Sequence, residues 1–173
     1  MDNFIEYIHS KSKGELVEEL KELYSSFEAV RTHYSLKSKD KKFDPKIIKK
    51  YETKISEALN LDGNWQGGFN IDKVDNILSR LNSKSNHKYY IELGIYSINE
   101  CTELANAYGG DYGDEFYLYF IELYQNVNAL IWEEGLENEY QMRLRILMEE
   151  SFEGYGYQDE LRDVYYNYFQ EEE

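Results

Sequence analysis

The chain has 173 residues, a formal net charge of −15, one proline and one cysteine. This is the length of one ordinary domain with one core, its apolar runs fall far short of the roughly 20 residues of a membrane-spanning helix, and a lone cysteine excludes an internal disulfide or a cysteine-based zinc cage. The charge is unevenly placed: no lysine follows Lys88, and residues 91–173 set three arginines against 20 acidic residues. Fourteen of the 18 tyrosines also follow Lys88. An acidic, tyrosine-rich half excludes nucleic acid as its ligand and points instead to a basic partner. Met1 to Tyr7 show neither a basic stretch nor a long apolar one, so no signal peptide is expected, and a cytoplasmic location is.

The pattern predicts helices in sequence. A short first helix covers Asn3 to His9. Ser12 stands three residues before Glu15 in a capping-box arrangement, and Leu16, Leu20, Leu23 and Phe27 follow at helical spacing, with a bend expected near Phe27 before Val30 and Tyr34. The lysine-rich segment Leu36 to Phe43 reads as a loop. Asp44 before Pro45 supplies an N-cap and a first helical residue, and Ile48, Tyr51, Ile55 and Leu59 form the next stripe. Residues 61–70, with three glycines and two asparagines, interrupt the helical pattern. Val74, Ile77, Leu78 and Leu81 mark a fourth helix. From Asn86 to Tyr108 the apolar residues spread around most of a long fifth helix, with Gly94 and Ser97 allowing close neighbours, which places it at the centre of the core. Phe116, Phe120, Leu123, Val127 and Leu130 stripe a sixth helix, which Gly135 ends. Leu136, Tyr140, Leu144 and Leu147 stripe a seventh, with Glu139–Arg143 and Arg145–Glu149 as i,i+4 pairs. Leu161, Val164, Tyr165 and Tyr168 stripe an eighth, after which Glu171 to Glu173 fray. The fold class is all-α, a single-domain antiparallel bundle of about seven to eight helices, with N-terminal helices over 1–60, a glycine-rich loop over 61–70 and an acidic core over 71–173.

Two helix starts share a pattern, Tyr112-Gly-Asp-Glu-Phe116 and Tyr157-Gln-Asp-Glu-Leu161. Short connections imply up-down-up-down topology, so both starts lie at one end of the bundle. That end gathers Tyr108, Asp111, Tyr112, Tyr155 and Tyr157 among glycines, a composition suited to recognition because a rigid amphipathic ring adds contact area at low entropic cost. The same residues also admit a structural reading, in which acids complement helix N-termini, glycines turn the chain and tyrosines cover the core. Arg143, a scarce cation in an acidic half, is either a neutraliser of neighbouring carboxylates or a bidentate clamp for an anion.

Other chemistry is largely missing. Asp62, Asn64, Gln66, Gly67, Phe69 and Asn70 fit a calcium loop, but its twelfth position, where a bidentate glutamate must close the site, is Lys73. Glu6-x-x-His9 has di-iron spacing without the second copy such a site requires. His33 and His87 stand alone, Cys101 reads as a small core residue, and no phosphate-binding glycine loop occurs. No catalytic, cofactor or metal residues are assigned.

The run Cys101-Thr-Glu-Leu-Ala-Asn-Ala-Tyr-Gly-Gly-Asp, with Asp114-Glu-Phe-Tyr, Gly154-Tyr-Gly-Tyr-Gln-Asp-Glu-Leu and Tyr165-Tyr166-x-Tyr168-Phe169, resembles a family of bacterial proteins catalogued only as a domain of unknown function. Glu15-Leu-Val-Glu-Glu-Leu, Leu23-Tyr24, Phe27 and Tyr34 resemble the opening helices of that family. The resemblance implies a bacterial, cytoplasmic, all-helical protein and carries over no catalytic or ligand residues. The expected function is a protein-interaction module whose acidic half binds a basic protein, one form of which is an inhibitor that mimics nucleic acid. The alternative is a helical small-molecule binder or enzyme with a pocket around Tyr108, Tyr155 and Arg143.

Overall fold

The computed structural model describes residues 2–37, 44–59, 68–81, 86–108 and 110–169. These residues form helices and their connections, with no strand among them. They fall into two units, divided between Lys42 and Phe43. The division lies ahead of the glycine-rich segment, so Pro45–Ala58 belongs with the acidic body.

In the first unit, α1 (Asp2–Ser10), α2 (Lys13–Ser26) and α3 (Glu28–Lys37) follow in order. The capping box forms: Ser12 Oγ accepts from the Glu15 amide at 3.3 Å, and Glu15 Oε2 accepts from the Ser12 amide at 2.8 Å. The expected bend is a full break, because Phe27 adopts extended backbone (φ −117, ψ 119) and separates α2 from α3. Arg31 secures the break by donating to the Ser25 carbonyl at 2.5 Å. Although α2 has helical apolar spacing, it buries none of its side chains. Of the predicted Lys-rich loop, Leu36 and Lys37 instead continue α3, and residues 38–43 lie outside the described residues.

The second unit comprises α4 (Pro45–Ala58), α5 (Ile71–Ser79), α6 (His87–Tyr108), α7 (Asp114–Glu134), α8 (Glu137–Glu149) and α9 (Tyr157–Tyr168). Asp44 Oδ1 caps α4 through the Lys46 amide at 2.9 Å, and Asn70 Oδ1 caps α5 through the Lys73 amide at the same distance. The first half of the candidate calcium loop, residues 62–67, lies outside the described residues; Asn70 serves as a helix cap.

The long helix α6 is central, as its broad apolar circumference implies: it packs against α4, α5, α7 and α8, while α9 closes over α7 and α8. Gly94 permits the closest approach, since a Cβ there would meet Val127 Cγ2 at 2.6 Å. The stripe of α7 is buried from Phe116 to Leu130, and Tyr117, Tyr124 and Ile131 widen it. Tyr124 reconciles its hydroxyl with the core by donating to the Leu144 carbonyl at 2.9 Å. Gly135, left-handed at φ 66, ends α7. No described helix is long and apolar enough to cross a membrane.

Candidate functional site

The α6–α7 and α8–α9 connections meet at one end of the second unit, as short antiparallel links require. Asn106 reaches across to donate to the Glu150 carbonyl at 2.9 Å. Phe152, in the α8–α9 connection, folds over Gly154 of its own connection and against Gly110 of the other: a Cβ on either glycine would overlap its ring. Tyr117 stacks on Phe152 and on Tyr155, with centroids 6.4 and 5.8 Å apart. On the far side, Tyr112 and Phe69 pack on Phe116 at 5.1 and 4.6 Å. The end is therefore filled by its own rings, and the glycines there seat an aromatic side chain.

The predicted residues divide within this arrangement. Tyr108 and Tyr155 are 64% and 67% exposed, and Asp111 is exposed beside them in the α6–α7 connection. Tyr112 is half-buried and donates to the Leu104 carbonyl at 3.1 Å. Tyr157 is not a surface residue: it is 0% exposed. As the first residue of α9 it turns inward, against Tyr117 at 5.1 Å. Its hydroxyl lies beside Cys101 and Thr102, yet neither it nor Thr102 Oγ1 has a partner in hydrogen-bonding geometry. The same burial pushes the Cys101 thiol far above its ordinary range, so it is no thiolate nucleophile at neutral pH. Gly109 lies outside the described residues.

Tyr155 has an unusual backbone. Its φ 56, ψ 18 and the φ 73, ψ 6 of Gly156 are the angles of a type I′ turn, closed by the Tyr157 amide donating to the Gly154 carbonyl. Left-handed backbone costs a side-chain-bearing residue about 1–2 kcal/mol. Stacking on Tyr117 offsets about 0.5–1.5 kcal/mol of that.

Arg143 is not at this end. It lies on α8, where its Nη1 and Nη2 donate to Glu92 Oε1 and Oε2 of α6 at 3.1 and 3.0 Å. Tyr140 donates to the same carboxylate at 2.9 Å, and its ring lies 5.4 Å from the guanidinium. The expected Glu139–Arg143 pair is replaced, because a bidentate carboxylate flanked by a tyrosine outcompetes a flexible exposed neighbour; Glu139 accepts from Lys88 at 2.6 Å instead. Arg145–Glu149 does form, at 2.8 Å. The Arg143 site opens onto a cleft between α4, α6 and α8 with Glu52, Tyr96, Asn99 and Glu150 in its lining.

Sequence reasoning did not single out Phe152, Tyr117, Glu92 or the cleft. The facing glycines of the two connections hold a signal for Phe152, because only glycine leaves room for a ring on both sides. Nothing local announces Glu92, which is 51 positions from its partner. Among the described residues, no group of three or more His, Cys, Asp or Glu is placed to hold a metal ion. Compared with known proteins, the chain matches no family model, no curated protein and no solved structure.

Along the α4–α6 seam, Tyr96 meets Ser56 Oγ at 2.6 Å, and its hydroxyl is pushed up to about 12, chiefly by burial. The Glu100 carboxyl is raised from 4.5, first by desolvation and then by Glu103 and Glu52, against the lowering effects of Tyr96 and Lys49. An acid raised by folding contributes stability that is fully present below its unfolded pKa and is lost as pH rises through the folded one. Glu100→Gln is therefore expected to stabilise the protein at neutral pH, by less than about 1 kcal/mol for so accessible a group. Urea denaturation at neutral pH and near pH 3 checks this: the gain should vanish in acid, and a gain of equal size at both would refute it.

Proposed function

We propose that this protein is a bacterial cytoplasmic interaction module whose acidic body binds a basic protein, with Tyr155 and Tyr108 as anchors at the end where the two connections meet. The observation that carries the reading is Tyr155, a ring 67% exposed on left-handed backbone. Glycine or asparagine would make the same turn at little cost. What tyrosine adds there is an exposed, rigid, amphipathic ring. Exposed acids surround it in sequence and across the end: Asp111, Asp114, Glu115, Glu153, Asp159 and Glu160. Residues 43–173 carry 11 basic and 26 acidic groups, so this unit holds the whole excess of negative charge. Such a surface attracts a cationic partner over a distance, and a guanidinium seated on an exposed tyrosine face gains about 0.5–1 kcal/mol.

The test is to place a photo-crosslinking p-benzoylphenylalanine at position 155 and irradiate cells of the parent organism. The expected result is one covalent adduct with a basic protein of isoelectric point above about 9. Adducts only with acidic proteins, or none, would refute the reading. Duplex oligonucleotide competing for the same adduct would identify the partner as a nucleic-acid-binding protein and the mode as mimicry. Tyr155→Asn tests the anchor separately from the fold. Asparagine tolerates the left-handed turn, so stability should change by less than about 1 kcal/mol, while affinity for the captured partner falls about tenfold or more. An unchanged affinity would dismiss Tyr155 as an anchor.

A further inference from the structure

The cleft between α4, α6 and α8 is distinct from the end where the connections meet, and its chemistry is legible from its walls. Its volume is about 340 Å³, within the range of roughly 300–1,000 Å³ typical of small-ligand sites. One part of the lining is an apolar strip of Ile95, Ile146 and Leu147, and the other carries Glu52 from α4, Glu92 from α6 and Glu150 from the end of α8. Ligands suited to such a surface have a hydrocarbon stretch and a positive head.

The cleft already holds one cation in this manner. The Arg143 guanidinium is gripped by Glu92 and backed by the Tyr140 ring. That grip commits Arg143, so it offers little to an anion, which would also face the remaining carboxylates. Glu52 has a partial partner in Lys49, at 3.2 Å. Glu150 has no cation partner for its carboxylate among the described residues. The site thus combines a cleft of ligand size, an apolar strip and a carboxylate with no cation partner among the described residues.

We propose that this cleft binds an extended alkylammonium cation, with its methylene chain on Ile95 and Ile146 and its ammonium group answered by Glu52 and Glu150. A free polyamine and a lysine side chain of a bound peptide share this chemistry. The inference does not depend on the basic-partner reading of the other end, and Tyr155→Asn should leave binding in the cleft unchanged.

The test is a nuclear magnetic resonance titration of the full chain with spermidine and, separately, with a capped single-lysine peptide, at about 150 mM salt to screen diffuse attraction. Saturable amide shifts at Ile95, Asn99 and Ile146 are expected with at least one probe. Saturation by spermidine alone supports a free polyamine, and saturation by the peptide supports a lysine side chain. Glu52→Gln with Glu150→Gln should weaken binding about fivefold or more, whereas Glu160→Gln with Asp163→Asn, the same charge change beside the α7–α9 groove, should alter it less than about twofold. All four positions are partly or fully exposed, so melting curves should confirm that both double variants remain folded. Equal losses in the two, or the absence of saturable shifts with both probes, would overturn the proposal.

Discussion

Replacing Tyr157 by alanine is expected to cost about 3–5 kcal/mol, as for other large buried rings. This side chain is fully buried and packs on Tyr117, so its removal opens a cavity beneath the site where α9 begins. Tyr157→Phe should behave in the opposite way. Its hydroxyl is buried without a partner in hydrogen-bonding geometry, and deleting an unsatisfied polar group while keeping the ring removes a desolvation cost, for a gain of up to about 1–2 kcal/mol. Urea denaturation of both variants checks the pair. A loss of more than about 1 kcal/mol for phenylalanine would mean that the hydroxyl is bonded to Thr102 or Cys101 after all.

Gly110→Ala is the second large effect, with an expected loss of about 2–4 kcal/mol. Two costs add. The backbone is left-handed at φ 71, and the new methyl would overlap the Phe152 ring and come within 2.7 Å of the Tyr117 hydroxyl. Gly135→Ala isolates the first cost, since Gly135 is left-handed at φ 66, ψ 38, but nothing lies within 4 Å of a Cβ there. Alanine at 135 should therefore cost only about 1–2 kcal/mol. Equal losses at both positions would show that Phe152 is not seated against Gly110.

The helices of the second unit were legible because their burial is periodic. Phe116, Phe120, Leu123, Val127 and Leu130 recur every three or four residues, and all are buried. The same periodicity correctly marks α2, yet its Leu20 and Leu23 and the capping Phe27 remain exposed; spacing establishes a helix without establishing what covers it. Phe27 could be read only as a bend, since phenylalanine carries no strong breaking preference. At the candidate site, neighbours in sequence misled. Tyr155 and Tyr157 flank the same glycine, but one faces solvent and the other the core, a difference set by the turn angles. Arg143 had an acid four residues away, and the pairing that wins joins two helices through Glu92. Long-range competition of that kind leaves no trace in local spacing.

The ring of Phe152, wedged between Gly110 and Gly154, couples two connections that are far apart in sequence. A pull on one is transmitted to the other through a single aromatic plate, so the pair resists bending independently. A partner docking on Tyr155 would meet a surface whose ordering cost was met during folding, which favours tight binding from a modest contact area.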